Sequence, residues 1–212
     1  MSQTRKKTTK EQKGDTSFPF LGEVLALDLT NTDILLRGKK HEFLNLPEDA
    51  ARWWREATLQ HASRERAKGE EETTQWDATL LANLKQLRDA LRRLFTALIE
   101  GRTTDESDLE ELNRVLAMGY QLLERGAEGE LKAIYRTTVP AYGAVLLPIA
   151  LSALHLILER ERERLHICAN ERCVGLFYDT TRSATRHWCS TECMNRARSI
   201  QHYREAKAKK AM

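Results

Sequence analysis

The sequence lacks three features that would each define a class of protein. It has no apolar run near 18–20 residues, so we expect no transmembrane helix. It has no phosphate-binding glycine loop, no His-Glu-x-x-His pair and no nucleophile elbow, so we do not expect an enzyme. It has no cysteine before residue 168, so its four cysteines have no distant partner for a disulfide.

The N-terminal segment also lacks the apolar stretch of a secretory signal. Residues 1–17 are basic and polar, which predicts a flexible tail on a protein of the reducing cytoplasm. Residues 1–13 carry five Lys/Arg and one Glu, and residues 160–212 carry twelve Lys/Arg and six acidic residues, whereas the segment between them is acidic. Basic ends favour a polyanionic partner, although charged ends can also serve solubility alone.

Residues 18–160 predict a body that is mainly α-helical. Apolar residues recur every three or four positions after Thr74 and again after Thr104, which is the period of a helix. Pro47, followed by two acidic residues, predicts the start of an earlier helix. The apolar run at residues 21–29 is short enough to be either a strand or a buried helix.

The second half of the body predicts a β-hairpin and a long apolar helix. Two short runs flank residues 126–129, whose glycines favour a turn between two strands. An apolar segment from Tyr142 to Leu158 then predicts a helix, and Pro148 should kink that helix or mark its start. The predicted fold class is therefore α+β, mainly α with a small hairpin.

The cysteines are spaced as C-x4-C-x15-C-x3-C, which predicts a zinc site. The four are Cys168, Cys173, Cys189 and Cys193. Four thiolates suit tetrahedral Zn²⁺, and a site closed in this way serves structure rather than catalysis. We expect one structural Zn²⁺ in a module at residues 165–205, followed by a basic tail at 206–212. The alternatives are four buried free thiols, or His166, His187 or His202 in place of one thiolate.

The segments around the cysteines predict a knuckle, a hairpin and a helix. Residues 168–173 fit a tight knuckle, and the β-prone runs 176–178 and 186–188 fit two strands joined by a polar tip. Cys189 and Cys193 open the last helix, with Ser190 as its expected N-cap. Knuckle, hairpin and helix together predict a treble-clef or zinc-ribbon-like module.

The last helix has an apolar side and a cationic side. Ile200 and Tyr203 share a face that should pack on the hairpin, which leaves the cations free for phosphates or for a groove of nucleic acid. The residues expected to bind nucleic acid are Arg182 and Arg186 on the hairpin, and Arg198, His202, Arg204 and Lys207 on the helix. The alternative is a solvated basic helix end.

The C-terminal segment resembles the CGNR zinc finger, named for a Cys-Gly-Asn-Arg stretch at its last ligand, through CANERCVGLFYDTTRSATRHWCSTECMNRARSIQHYR. The body resembles the ABATE domain that usually precedes this finger, through GEVLALDLTNT at residues 22–32 and LLPIALSALHLIL at residues 146–158. The resemblance covers residues 18–205.

This resemblance implies a bacterial protein of a family described as stress-induced transcription regulators, with RNA binding as another description. It implies that the four cysteines are zinc ligands and that Asn195 and Arg196 are the signature pair, which we add to the expected nucleic-acid contacts. Met194 stands where the family has glycine. This departure bears on any contact that needs a bare backbone at that position.

The acidic body is expected to sense a small-molecule effector or to form a homodimer. Asp28, Asn31 and Thr32 follow an apolar run, where a pocket can form, and Arg136 and His155 are candidate partners. The alternative is that these polar side chains satisfy local backbone groups.

Three functions remain open from the sequence. A DNA-binding regulator is the first, and DNA is favoured over RNA as the partner. The second is an RNA-binding protein that uses Tyr178, Trp188 and Tyr203 to stack on bases. The third is a protein-interaction module in which zinc only maintains the shape, since a fold does not fix a function.

Overall fold

Six α-helices, one short 3-10 helix (Arg162–Arg164) and three two-stranded antiparallel sheets are present in the described part of this computed structural model, residues 17–61, 74–126 and 129–210. The helices are α1 (Leu25–Thr30), α2 (Pro47–Gln60), α3 (Ala78–Ile99), α4 (Glu106–Leu116), α5 (Pro140–Glu159) and α6 (Thr191–Lys210). The strands are β1 (Asp33–Leu36), β2 (Lys39–Glu42), β3 (Gly119–Arg125), β4 (Leu131–Thr137), β5 (Leu165–Ile167) and β6 (Leu176–Tyr178). Residues 1–16 of the predicted tail lie outside the described residues.

The body is built around α3. Its leucines recur at intervals of three and four residues, so one stripe of the helix is buried and the other is polar. Asp77 caps its start, because the Asp77 carboxylate accepts a hydrogen bond from the Leu80 amide at 2.8 Å. α3 contacts α1, α2, α4 and α5, and residues such as Trp53 and Phe95 fill one core between them.

The mainly helical fold class is confirmed, with differences at element ends. α2 begins at Pro47 as predicted, whereas α3 and α4 begin at Ala78 and Glu106, each after an aspartate cap. The hairpin β3–β4 flanks the predicted turn, and its strands pair from Gly119 with Thr137 to Arg125 with Leu131. The second half of the apolar run at residues 21–29 forms most of the short helix α1, which ends at Thr30.

The hairpin β1–β2 was missed by the sequence analysis. β2 reads Lys-Lys-His-Glu, so it has no apolar alternation to reveal a strand. The turn before β2 depends on Arg37 and Gly38, which both adopt positive φ, at 55° and 76°. This hairpin is therefore stabilised by the backbone conformation of its turn and by packing against other parts of the protein.

α5 excludes one of the two roles considered for Pro148 and corrects the expectation of no long apolar run. It runs through Pro148 as one helix that starts at Pro140, so Pro148 does not mark its start. By length and composition alone it is apolar enough to cross a membrane, although we expected no such run. Half of that apolar stretch is buried, and α5 contacts α1, α3 and α4, as a core helix does.

The C-terminal module packs directly on the body through the end of α1. Asn31 is fully buried there, and its side-chain amide donates to the Leu176 carbonyl at 2.8 Å and accepts from the Leu176 amide at 2.9 Å. The Tyr178 amide donates to the Gly22 carbonyl at 3.3 Å. β6 is therefore hydrogen-bonded to the body as well as to β5.

A second set of contacts joins β1 to the module. The guanidinium of Arg92 donates to the carbonyls of Asp33 at 2.9 Å and Val174 at 3.1 Å, so one side chain spans the junction. Ile34, which is 1% exposed, lies in the same buried cluster as the four cysteines. The body and the cysteine module thus share a small apolar core.

Replacing Asn31 with Ala should destabilise the whole protein. The variant leaves both backbone groups of Leu176 buried without a partner, which costs about 1–3 kcal/mol for each unsatisfied group. Urea unfolding should show a lower midpoint with an unchanged m-value. Asn113→Ala, at an exposed position on α4, is the matched control and should leave the midpoint equal or slightly higher. Equal midpoints for both variants would refute the role of Asn31 at the junction.

Candidate metal centre

The four cysteine sulfurs form one compact, buried cluster. All four Sγ atoms lie within 4.8 Å of one another, with 3.7 Å between Cys173 and Cys189 and 3.6 Å between Cys189 and Cys193. Tetrahedral Zn²⁺ with Zn–S bonds of about 2.3 Å places its sulfurs about 3.8 Å apart. The donor set and its spacing therefore fit Zn²⁺.

Two structural elements supply two ligands each. Cys168 and Cys173 lie on the knuckle between β5 and β6, whereas Cys189 precedes α6 and Cys193 lies in its first turn. Ser190 caps α6 as predicted, since its hydroxyl accepts from the Cys193 amide at 3.2 Å. Backbone amides of Gly175 and Cys189 point at the sulfurs of Cys173 and Cys168, at 3.4 and 3.5 Å. Such donors stabilise thiolates.

The electrostatics of the cluster also favour a bound metal cation. Hydrogen bonds from the other three sulfurs lower the pKa of the Cys168 thiol, because they stabilise its thiolate. The bond to Cys168 in turn raises the pKa of Cys173 and of Cys189, and burial adds to the rise. Burial and the repulsion between neighbouring thiolates oppose four negative charges in one small site, so a bound metal ion is what allows four thiolates together.

The strand pairing inside the module differs from the prediction. β6 pairs with β5, with Leu165 opposite Tyr178, whereas residues 186–188 form no strand. Asp179, which is fully buried, holds the intervening loop, because its carboxylate accepts from the amides of Thr181 and Arg186, both at 2.8 Å. The loop therefore closes on one carboxylate instead of a strand ladder.

Asn170 is a second buried polar residue that the sequence analysis missed. Its Oδ1 accepts from the Arg172 amide at 3.0 Å, and its Nδ2 donates to the Cys193 carbonyl at 3.0 Å. One side chain thus shapes the knuckle and ties it to α6. An asparagine that bonds to the amide two residues ahead is a recognisable turn former, so this signal was present in the sequence.

The nearby histidines lie outside the sulfur cluster. Among the described residues, the group close enough to share a metal ion contains the four cysteines. The His166 ring packs on Phe177 with 5.5 Å between ring centroids, and burial lowers the pKa of His166. His187 is exposed, and His202 lies 3.9 Å from the Glu205 carboxylate.

α6 presents most of the residues predicted to bind nucleic acid. It extends to Lys210, beyond the predicted boundary at residue 205, and its sequence carries six Lys/Arg and two Glu. Arg196 is half-buried, whereas the exposed members of the predicted set on α6 are Asn195, Arg198, His202, Arg204 and Lys207. Arg204 forms two hydrogen bonds with Glu171, at 3.1 and 2.8 Å, which offset part of its charge.

The two arginines predicted on the hairpin lie in different environments. Arg182 is exposed in the loop after Asp179. The Arg186 guanidinium faces inward, where it stacks over the Phe177 ring at 4.8 Å and donates to the carbonyls of Trp188 and Cys189. Arg186 therefore contributes to the structure of the module.

The aromatic residues considered for base stacking differ in their exposure to solvent. Tyr178 is buried and Trp188 is half-buried, whereas Tyr203 is 70% exposed. The expectation that Tyr203 packs on the hairpin was wrong, because most of its side chain is exposed to solvent.

The four residues proposed to line an effector pocket do not come together. Asp28 is buried against the Gly22 amide at 2.7 Å and His61 at 2.8 Å, and its burial raises its pKa. Asn31 bonds to β6 as described, and Thr32 donates to the Leu29 carbonyl. Arg136 is instead exposed on β4, 3.9 Å from a Glu124 oxygen. The first three therefore satisfy internal groups, which was the alternative interpretation.

A cavity of about 320 Å³ lies beside this polar cluster. It is bounded by α1, α5 and the β3–β4 hairpin, and its lining includes His61, Gln121, Ser152 and His155. Its apolar wall includes Leu151 of α5. Of the residues named from the sequence for the pocket and its partners, His155 lines this cavity.

Comparison with known families agrees with the geometry. The ABATE family, described as "Putative stress-induced transcription regulator", matches residues 23–160, which is more than half of the chain. The CGNR zinc finger matches residues 164–206, the segment that carries all four cysteines. A search of curated proteins finds no match. The predicted family and the single structural zinc site are therefore confirmed.

Purified protein should contain one zinc ion per chain, and Cys173→Ser should lose it. The variant removes one soft ligand from a closed site, so metal affinity and folding fall together. Elemental analysis and urea unfolding of the full chain measure both quantities. His187→Ala, an exposed neighbour of the cluster, should retain one zinc. Full zinc content in the Cys173 variant, or its loss in the His187 variant, would contradict a four-thiolate site.

Proposed function

The chain belongs to the ABATE family and carries a CGNR zinc finger, and from this premise we propose that it is a zinc-dependent DNA-binding transcription regulator. In this proposal the protein is cytoplasmic and has no catalytic role. Zinc fixes the shape of the C-terminal module, and the module presents α6 to the nucleic acid.

One observation carries this proposal: the second ligand pair of a rigid metal cluster opens a long cationic helix. Cys193 fixes the first turn of α6, the helix continues without interruption to Lys210, and residues 201–209 are all exposed. A helix anchored at one end and charged along its surface fits the contacts with phosphates that dominate binding to DNA. Arg196, Arg198 and Lys207 are the central contacts in this account, and the exposed Arg182 extends them.

RNA binding is the second candidate, supported by one feature of α6. Tyr203 is 70% exposed between cations, and an exposed aromatic ring can stack on an unpaired base. Preference for single-stranded RNA over duplex DNA would replace the first proposal with this one. Binding of neither would favour a protein-docking module with structural zinc.

The body would then sense a small effector in the cavity beside His61. Arg160 lines this cavity and also stacks over the Tyr178 ring of β6, with 4.9 Å from the guanidinium carbon to the ring centroid. A ligand that displaces Arg160 would therefore also change the contact of Arg160 with β6, the strand that follows the knuckle. This contact supports a route from the cavity to the zinc module.

We place a homodimer contact on the β3–β4 hairpin. Its exposed apolar side chains are Tyr120, Leu123 and Leu131. Light scattering of the wild-type protein and of Leu123→Lys would test this part of the proposal, since a dimer built on this surface should dissociate.

Neutralising two cations of α6 should weaken binding and reduce its dependence on salt. For Arg196→Gln with Arg198→Gln, we expect the slope of log K against log[salt] on duplex DNA to fall by about 2, roughly 1 per lost phosphate contact. Fluorescence anisotropy of the zinc-loaded full chain across a salt series measures this slope.

The matched control removes the same charge from the body. Arg55→Gln with Arg102→Gln, both at exposed positions, should leave the slope unchanged. An equal loss in both double variants would mean that net charge alone drives binding. No binding by the wild-type protein at low salt would refute the nucleic-acid proposal altogether.

A further inference from the structure

A groove runs between α6 and two other elements, the knuckle and the β1–β2 turn. It consists of two adjoining hollows of about 400 and 500 Å³, and both are lined by Arg172, Ser199 and Ile200. One hollow also reaches Arg37 in the turn, and the other extends along α6 to Lys207. The body therefore supplies one wall of a groove whose opposite wall is α6.

Cations from three separate segments line the first hollow. Arg37 comes from the β1–β2 turn, Arg172 from the knuckle and Arg196 from α6. The residues that line this hollow include no acidic residue, and Asn195 and Ser199 add neutral polar groups. Burial of an anion between such walls would offset a repulsion that the three guanidinium groups otherwise impose on one another.

The β1–β2 turn extends this charge outward. Lys39 and Lys40 follow the turn, and both are exposed. Lys40 is 3.2 Å from the Asp33 carboxylate, so part of its charge is offset. Arg37 therefore lines the groove, and the exposed Lys39 lies two residues further along the same hairpin.

The turn is fixed relative to the metal centre. The Gly38 amide donates to the Arg172 carbonyl at 3.2 Å, which joins the turn directly to the knuckle. On the same hairpin, Ile34 packs in the cluster of the four cysteines. The separation between Arg37 and α6 is therefore set by the same packing that surrounds the zinc ligands, and the two walls form one preorganised surface.

We propose that the β1–β2 hairpin of the body is a second nucleic-acid-binding element, with Arg37 and Lys39 contacting the phosphodiester backbone across the groove from α6. This rests on the proposed function and adds to it that the ABATE body takes part in binding. Rigid guanidinium groups on two walls suit a chain of phosphates, because each wall can bind a different phosphate of one backbone.

The test uses the zinc-loaded full chain with Arg37→Asn and Lys39→Gln. Asparagine is chosen at position 37 because it tolerates the positive φ of 55° that the turn requires. We expect the salt slope on duplex DNA to fall by about 2, with weaker binding at every salt concentration. Single-stranded RNA is measured in parallel, and a change of slope on one of the two identifies which backbone the groove accepts.

The matched control is again Arg55→Gln with Arg102→Gln, which removes the same charge from exposed positions of the body outside the residues that line the groove. It should bind as the wild type does. Zinc content and the urea midpoint must be unchanged in both double variants. If the double variant loses zinc, Lys39→Gln alone carries the same test, with an expected slope change of about 1.

Failure of this inference can be told apart from failure of the proposed function. If the Arg37 and Lys39 variant retains the wild-type slope on both nucleic acids while the Arg196 and Arg198 variant loses it, α6 binds alone and the inference is overturned. A loss equal to that of the Arg55 and Arg102 control would also overturn it. If the wild-type protein binds neither nucleic acid, both proposals fall.

Discussion

Four buried thiols that need a metal ion to be deprotonated together are the constraint on which the rest of the structure depends. Their sulfurs have the separations of a tetrahedral zinc site, and they come from the knuckle and from the start of α6. The apolar shell of this cluster includes Ile34, which belongs to the body. The metal therefore stabilises a junction as well as a finger, and Asn31 and Arg92 hold the same junction by hydrogen bonds to backbone.

This arrangement brings cations that are far apart in sequence to one groove. Arg37, Arg172 and Arg196 reach it from a hairpin of the body, the knuckle and the last helix. Each of these segments contacts the cysteine cluster or the knuckle backbone, so the groove keeps its shape only while the cluster does. In the proposed function, binding of nucleic acid therefore depends on zinc. The cavity beside His61 reaches β6 through the contact of Arg160 with the Tyr178 ring.

Local patterns in the sequence were enough to predict the features that depend on neighbouring residues. The cysteine spacing, the leucine period of α3 and the glycine-rich turn of β3–β4 were all sufficient. The β1–β2 hairpin was not predicted because β2 has no apolar residue. The pairing of β6 was mispredicted because residues 186–188, which have the composition of a strand, instead follow a loop that Asp179 closes. The role of Asn31 depends on backbone groups 145 residues away, which no local pattern contains.

The central claim is that zinc orders the body hairpin together with the finger, and amide hydrogen exchange of the full chain with and without zinc tests it most directly. The account predicts that removing zinc increases exchange in β5, β6 and the start of α6, and also in β1 and β2, with α3 and α4 changed far less. If exchange rises in the finger alone and β1–β2 stays as protected as before, the shared core does not couple the two parts, and the account is wrong.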